Sequence, residues 1–333
     1  MEILLAPEVI EKPKKLKLLI GVSVFCIVLI IVIVGAHVYP KPIDVPKALV
    51  AQFAGTLMLS YVPEGSTLPN LFSYDLAQKK VTPVPNTKGV HTYAESKQGD
   101  KAYGTENADG TFSVRLDRVG AQNTIAGREF IPPTLGTVGA LAFNESGTKL
   151  VYEIKPYVTS ASINDTKIVL VDIANQTQAI LERGISPVFY NDDMLFFLKD
   201  DGVYSRALST SEIKRIFYFE DYEADGHSRI VHASSKEDIL ITLPSLRRVV
   251  SLLLQKDGVS LWLAPHATMD QLVESPVLSP DGTHLAFIQD RSVDDSRNAT
   301  LKIVDLKKDT VRDALIIEDK ENAAEFVMLS QWK

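Results

Sequence analysis

The sequence predicts an all-β chain, a six-bladed β-propeller, preceded by one N-terminal transmembrane helix. Three observations carry this. The run from Leu18 to Val38 is apolar and uncharged, the pattern after it switches to short strand-like runs between polar turns, and those runs recur.

The first run reads LLIGVSVFCIVLIIVIVGAHV and contains no Asp, Glu, Lys or Arg. At ~1.5 Å rise per residue, about 20 such residues cross the ~30 Å hydrocarbon core of a bilayer as one helix that satisfies its own backbone. Lys12, Lys14, Lys15 and Lys17 crowd its N-terminal side. The positive-inside rule then keeps the N-terminal tail in the cytoplasm and sends everything after Tyr39 across the membrane. Val34 and Ala36 offer a signal-peptidase site, but the run exceeds the ~7–15 residues of a signal h-region, so it reads as an uncleaved anchor. Phe25 before Cys26 excludes a lipoprotein signal. The expected organisation is a cytoplasmic tail over 1–17, a transmembrane helix over 18–38, a stalk over 39–54 and an extracytoplasmic propeller over 55–333. Pro40, Pro42 and Pro46 end the helix and favour an extended stalk.

Composition bounds the rest. The 333 residues are 45% hydrophobic and carry a net charge of −7, which argues against a nucleic-acid partner. The single cysteine, Cys26, lies in the apolar run, so the exported part has no disulfide and no thiolate metal site.

After the stalk, helical periodicity gives way to short alternating or β-branched runs. Asp-Gly pairs at 109–110, 201–202, 225–226, 257–258 and 281–282 supply tight-turn chemistry. The clearest recurrence joins Ser279-Pro-Asp-Gly-Thr-His-Leu-Ala-Phe287 to Asn144-Glu-Ser-Gly-Thr-Lys-Leu-Val-Tyr152. Weaker copies begin at Ser96, Asn191 and Ser235. Each copy, like the opening run Gly55–Tyr61, is followed by a second strand: Leu71–Leu76, Phe112–Leu116, Ile168–Ile173, Val203–Leu208, Ser260–Ala264 and Leu301–Leu306. Their spacing of about 35–60 residues approaches the ~40–50 of propeller blades. The first unit is a strand short, and a spare run, Glu325–Trp332, follows the last. That spare strand is expected to return to the first unit and close the ring.

The Ser279–Phe287 run, with LKIVDL behind it, resembles the repeat of TolB-like β-propellers, and is similar to repeats in the propellers of dipeptidyl-peptidase-like proteins. The resemblance implies a propeller used mostly for protein binding, within the bacterial envelope in the TolB case. The chain departs from TolB in having no room for its separate α/β domain and in carrying an anchor in place of a cleaved signal.

No residue constellation announces chemistry. A Gly-x-Ser-x-Gly elbow is missing, the nearest run being Gly258-Val-Ser260. The histidines are His37, His91, His227, His232, His266 and His284, and none stands at a zinc-like spacing with two others. Glu106–Gly110 resembles a calcium loop only faintly and reads better as a hairpin turn. Acidic clusters at Glu220, Asp221, Glu223 and Asp225, and at Asp290, Asp294 and Asp295, read as solvated loops. Asn144, Asn164, Asn175 and Asn298 open glycosylation sequons that matter only where the pathway glycosylates. Catalytic, cofactor and metal residues are therefore assigned to none.

Two stretches are expected to be exposed. Leu243–Gln255, with Arg247 and Arg248, suits a helical insertion or a long strand. Tyr157–Asp165 is a Ser/Thr-rich insertion in the third unit. Both are expected to lie on a partner-binding face. The function expected is a non-catalytic, membrane-anchored scaffold or recognition module of the cell envelope, touching the lipid bilayer through Leu18 to Val38 and envelope proteins through propeller loops. The alternatives are an extracytoplasmic hydrolase or lyase with residues gathered at the propeller axis, and a ligand-binding sensor.

Overall fold

A strand covered by neighbouring sheets on both faces has no polar side to show, so its sequence reads as a continuous apolar run. The chain is built from such runs: MLFFLK and KLVYEIK are buried along nearly their whole lengths. The computed structural model describes residues 53–333 apart from 64, 120–123, 158–161, 220–223, 225–227, 233–237, 244–247, 256–257, 264–272, 294–295, 307–309 and 318–327. The expected membrane helix over Leu18–Val38, the tail and most of the stalk lie outside these residues. Among the described residues no helix is long and apolar enough to cross a membrane.

The described strands form six four-stranded antiparallel sheets. The first holds β1 (Thr56–Tyr61), β2 (Asn70–Asp75) and β3 (Lys80–Pro83), with β24 (Met328–Trp332) added beside β1. The second runs β4 (Val90–Glu95), β5 (Lys101–Glu106), β6 (Phe112–Val119), β7 (Thr124–Phe130). The third runs β8 (Thr137–Phe143), β9 (Lys149–Lys155), β10 (Lys167–Asp172), β11 (Thr177–Arg183). The fourth is β12 (Ile185–Phe189), β13 (Met194–Lys199), β14 (Gly202–Ala207), β15 (Ile213–Tyr218). The fifth is β16 (Arg229–His232), β17 (Asp238–Leu243), β18 (Arg248–Gln255), β19 (Gly258–Leu263). The sixth is β20 (Val273–Leu278), β21 (His284–Val293), β22 (Ser296–Asp305), β23 (Thr310–Ile317).

These sheets stand around a ring. The strand at one edge of each sheet touches its counterpart in the next, β4 on β8, β8 on β12, β12 on β16, β16 on β20, β20 on β24 and β24 on β4. The fold is an all-β propeller. Its core is correspondingly divided into wedges between sheets. Met58 and Leu71 meet Tyr93 and Tyr103 between the first and second sheets, and Val114 and Phe130 meet Tyr152 and Val169 between the second and third. Val231 meets Phe287 between the fifth and sixth. Leu59, Phe72 and Tyr74 meet Ile288 and Ile303 across the wedge that joins the last sheet to the first, where the Tyr74 hydroxyl donates to the Ala314 carbonyl at 3.0 Å.

Of the two alternatives for Leu243–Gln255, a helical insertion or a long strand, the described residues take the strand: Leu243 ends β17, and Arg248–Gln255 is β18, hydrogen-bonded on both sides. One sequence expectation needs correcting. Ser260–Ala264 is not the second of the recurring strands in its unit: Ser260–Leu263 falls in β19, at the sheet's outer edge, and Ala264 lies outside the described residues. The misplacement arose because the run VVSLLLQ lacks the alternation that marks a half-exposed strand.

Glycine opens several of the innermost strands. At Gly89 (φ 82°) and Gly184 (φ 143°) a Cβ would stand 2.3 Å from the Glu106 carbonyl oxygen and 2.5 Å from that of Leu198. Neither the dihedral nor the space admits a side chain where the chain turns into the axis.

Candidate binding site at the ring axis and on one face

The innermost strands supply a common wall to an axial cavity of about 420 Å³. Both carboxylates that line it are met by a lysine. Lys97 Nζ stands 2.6 Å from Glu145 Oε1, bridging the second and third sheets. Glu95 pairs with Lys333 Nζ, which also donates to the Tyr93 hydroxyl at 2.9 Å.

Behind this wall lies Glu153, fully buried on β9. Burial alone would push its carboxyl up, but Lys155 and Arg229 and the amide of Ser186 outweigh that and hold it below the ordinary carboxylate range. Oε2 accepts from Ser186 N at 2.8 Å, and Oε1 lies 3.4 Å from Lys155 Nζ. The side chain passes over Gly139, where a Cβ would be 2.1 Å from Oε1. The Ser186 hydroxyl then accepts from Ile230 N at 2.8 Å, so one polar chain links the third, fourth and fifth sheets. The sequence signal was present and unread: a lone Glu inside the apolar strand KLVYEIK.

On the same junction Asp192 accepts from Asn144 Nδ2 (2.8 Å) and Ser146 N (2.9 Å). The Ser146 amide is the chief reason its carboxyl is held below the ordinary range. Asn144 is only 2% exposed and also donates to Ser146 and Thr148, so this sequon asparagine is occupied in the folded ring. Asn164 Nδ2 donates to Asp200 at 2.6 Å, and Asn175 lies in an exposed turn held by Asp172.

Of the histidines, His91 and His284 have described side chains, and these two do not converge. His91 Nε2 lies 2.7 Å from Glu106 Oε2, whereas His284 contacts Thr283 (2.7 Å) and the Phe53 ring (centroids 5.0 Å) in another part of the ring. His232 falls in β16, and His37, His227 and His266 lie outside the described residues, as do Arg247 and the acidic residues Glu220, Asp221, Glu223, Asp225, Asp294 and Asp295. Asp290 falls in β21. Among the described residues no group of three His, Cys, Asp or Glu is placed to hold a metal. Glu106–Gly110 leads into a hairpin turn in which Asp109 Oδ1 accepts from Thr111 N (3.0 Å), with Gly110 at φ 79°.

Among the described residues, the connection from the second sheet to the third carries the two most exposed large apolar side chains. Ile131 and Leu135, on either side of Pro132-Pro133, are 74% and 82% exposed. Tyr157, at the start of the Tyr157–Asp165 insertion, is 52% exposed, and its hydroxyl donates to the Gly110 carbonyl at 3.2 Å. The insertion's far end is fixed: Ser162 and Asp165 form a reciprocal cap on a 3-10 turn, and Ile163 is buried beside Ile185 and Phe196. Sequence reading found Tyr157 and missed Ile131 and Leu135, although two large apolar residues flanking Pro-Pro between strands are visible as such.

The chain matches no protein-family profile and no curated protein. Among solved structures it resembles TolB from Acinetobacter baumannii, with TM-score 0.58 and 13% identity over 83% of this chain and 67% of that one. It also resembles a putative TolB from Agrobacterium tumefaciens (TM-score 0.51, 12% identity, 83% of this chain and 99% of that one). A chain of the nidogen/laminin complex is similar as well, with TM-score 0.54 and 10% identity over 84% of this chain and 97% of that one. At these identities the likeness shows the fold: an all-β, TolB-like propeller.

Proposed function

We propose that this is a single-pass membrane protein whose six-bladed propeller, held outside the cytoplasm on a proline-bearing stalk, serves as a protein-binding scaffold of the cell envelope. The observation that carries the reading is the exposed apolar set Ile131, Leu135 and Tyr157 on one pair of neighbouring sheets. Scattered single apolar residues are ordinary on a surface, but large ones gathered on connections mark sites where another protein covers them. The anchor rests on the uncharged run Leu18–Val38 and the lysines before it. The TolB-like fold supports an envelope setting by analogy of fold, which is a weaker warrant than a site. The pairing of Lys97 with Glu145 and of Glu95 with Lys333 favours a scaffold over an acid–base catalyst at the axis, because each carboxylate there already has a cation beside it.

In-cell crosslinking of the full-length protein, followed by mass spectrometry, tests this. The reading expects a reproducible set of envelope proteins that is lost in the double variant Ile131→Ser/Leu135→Glu. An unchanged set in that variant, or recovery of the protein in the soluble fraction, contradicts it.

A further inference from the structure

The exposed apolar set lies on one face of the ring, and the described chain enters on the other. β4 and β8 end at Glu95 and Phe143, beside the turns whose Lys97 and Glu145 pair. On that face Thr56 bonds with Lys333, whose Nζ reaches Glu95, and Phe53 packs on His284. β8 is 7 residues long, about 20 Å at the usual strand rise, and Leu135 precedes its far end at Thr137. Thr137 pairs with Lys155, so Tyr157 stands at that far end too. Phe130, the last residue of β7, pairs with Val114 near the start of β6, which brings Ile131 to the same face.

The connection between β7 and β8 is held in place while its side chains stay outside. The Ile131 carbonyl accepts from Gln178 Nε2, and Gln178 Oε1 accepts in turn from the Tyr152 hydroxyl at 2.8 Å. The backbone is thus tied to the core, whereas the Ile131 side chain is in solvent. Pro132 and Pro133 carry no N–H, hold a fixed φ, and each restricts the residue before it to extended backbone. A partner strand cannot pair along them, because a ladder needs their donors. Little freedom is left to lose when a partner binds. Pro133 is itself exposed.

We propose that this face takes a protein carrying an apolar, aromatic-lined groove, which receives the run Ile131-Pro132-Pro133-Thr134-Leu135. The inference rests on the anchored-scaffold reading and names the kind of partner for the same site. Proline rings and aliphatic side chains on a pre-ordered run are what such grooves bind. The Tyr157 hydroxyl is already bonded to the Gly110 carbonyl, which leaves its ring as the contact on that face. The place where the chain enters argues against the anchor's own bilayer as occupant, since segment 39–52 meets the ring at the Phe53 face.

The test places the photo-crosslinker p-benzoylphenylalanine at Thr134 or, separately, at Gln98, an exposed turn residue of the other face, in the full-length protein in its own cells. Ultraviolet light should give a discrete protein adduct from Thr134 that is absent from Gln98. Its yield should fall about tenfold in Pro132→Ala/Pro133→Ala, which keeps Ile131 and Leu135. Thermal circular dichroism of that variant shows whether the ring is intact, and if it melts early Pro133→Ala alone is read in its place. An adduct that survives the proline changes but disappears in Ile131→Ser/Leu135→Glu overturns the groove and leaves the scaffold reading standing. The same partner captured equally from Gln98, or a lipid adduct from Thr134, overturns the choice of face and occupant. No protein adduct from either position overturns the proposal and the scaffold reading together.

Discussion

Between the third and fourth sheets the backbone passes straight from one sheet to the next through Gly184, and the two sheets are then pinned by polar groups. Glu153 reaches Ser186, Asp192 reaches Asn144 and Ser146, and Arg206 donates to the Leu181 carbonyl at 2.6 Å. At the closing seam there is no covalent link, and the means are different. β24 pairs with β1 along a backbone ladder extended by reciprocal Thr56–Lys333 bonds, both 2.9 Å. Aromatic groups wedge it shut: Trp332 Nε1 donates to the Ala54 carbonyl at 3.2 Å, and Phe53 packs edge-on against His284. Where chain continuity already holds two sheets together, side-chain bonds only have to set their angle. Where continuity is absent, a strand of the first sheet must come from the other end of the chain.

The comparison breaks most visibly if β24 is removed. Truncation before Met328 leaves β1 with an open edge and strips cover from Leu57 and Leu59. The loss is expected to exceed the ~5–15 kcal/mol by which domains are usually stable, so thermal circular dichroism should show no cooperative transition. A truncated chain that melts cooperatively makes the seam dispensable. Trp332→Ala acts on the same seam with less force. Trp332 is 6% exposed, and a loss of about 4 kcal/mol is expected in denaturant unfolding.

On the pinned junction, Glu153→Gln leaves Lys155 without its buried counter-charge and is expected to cost about 3 kcal/mol. The same residue gives a pH signature. Glu153 and Asp192 are held below the ordinary carboxylate range, and Asp281, bonded by Ser279 and Thr283, is held down to about 2. The unfolded chain therefore takes up these protons first. Stability should be level above about pH 5 and should fall as pH drops through the ordinary carboxylate values, with a shallower fall in Glu153→Gln. Asp192→Asn, on an exposed turn, should cost less than about 1 kcal/mol. An Asp192 effect as large as that of Trp332 would erase the distinction between junction and seam.

Much of the ring was legible before the structure. The turn-Gly-Thr-strand recurrence at Asn144 and Ser279 located second strands of their sheets, β9 and β21, because the repeat uses the same turn chemistry each time. The spare strand at the C-terminus was legible as a count left over. The innermost strands were harder. HTYAE, SPVF and SPVL are short, bulged and mixed in polarity, since one side faces a cavity, so they lack a clean period. In the fifth sheet Ser260–Ala264 took the place of β18, because the run VVSLLLQ of β18 has no period-2 alternation to mark it as a strand. Of the site, Tyr157 was legible as part of an insertion. The cavity wall was not, because its groups come from strands far apart in sequence and meet only when the ring closes.

Ring closure by β24 pairing with β1 is the central claim, since it gives the propeller a fixed face and a fixed axis. Native-state amide hydrogen exchange tests it most directly by comparing Thr56 and Lys333 at the seam with Phe196 and Leu198 in β13. The account predicts that the seam amides exchange only with global unfolding, as slowly as β13. Seam amides that exchange orders of magnitude faster, while β13 remains protected, would contradict it.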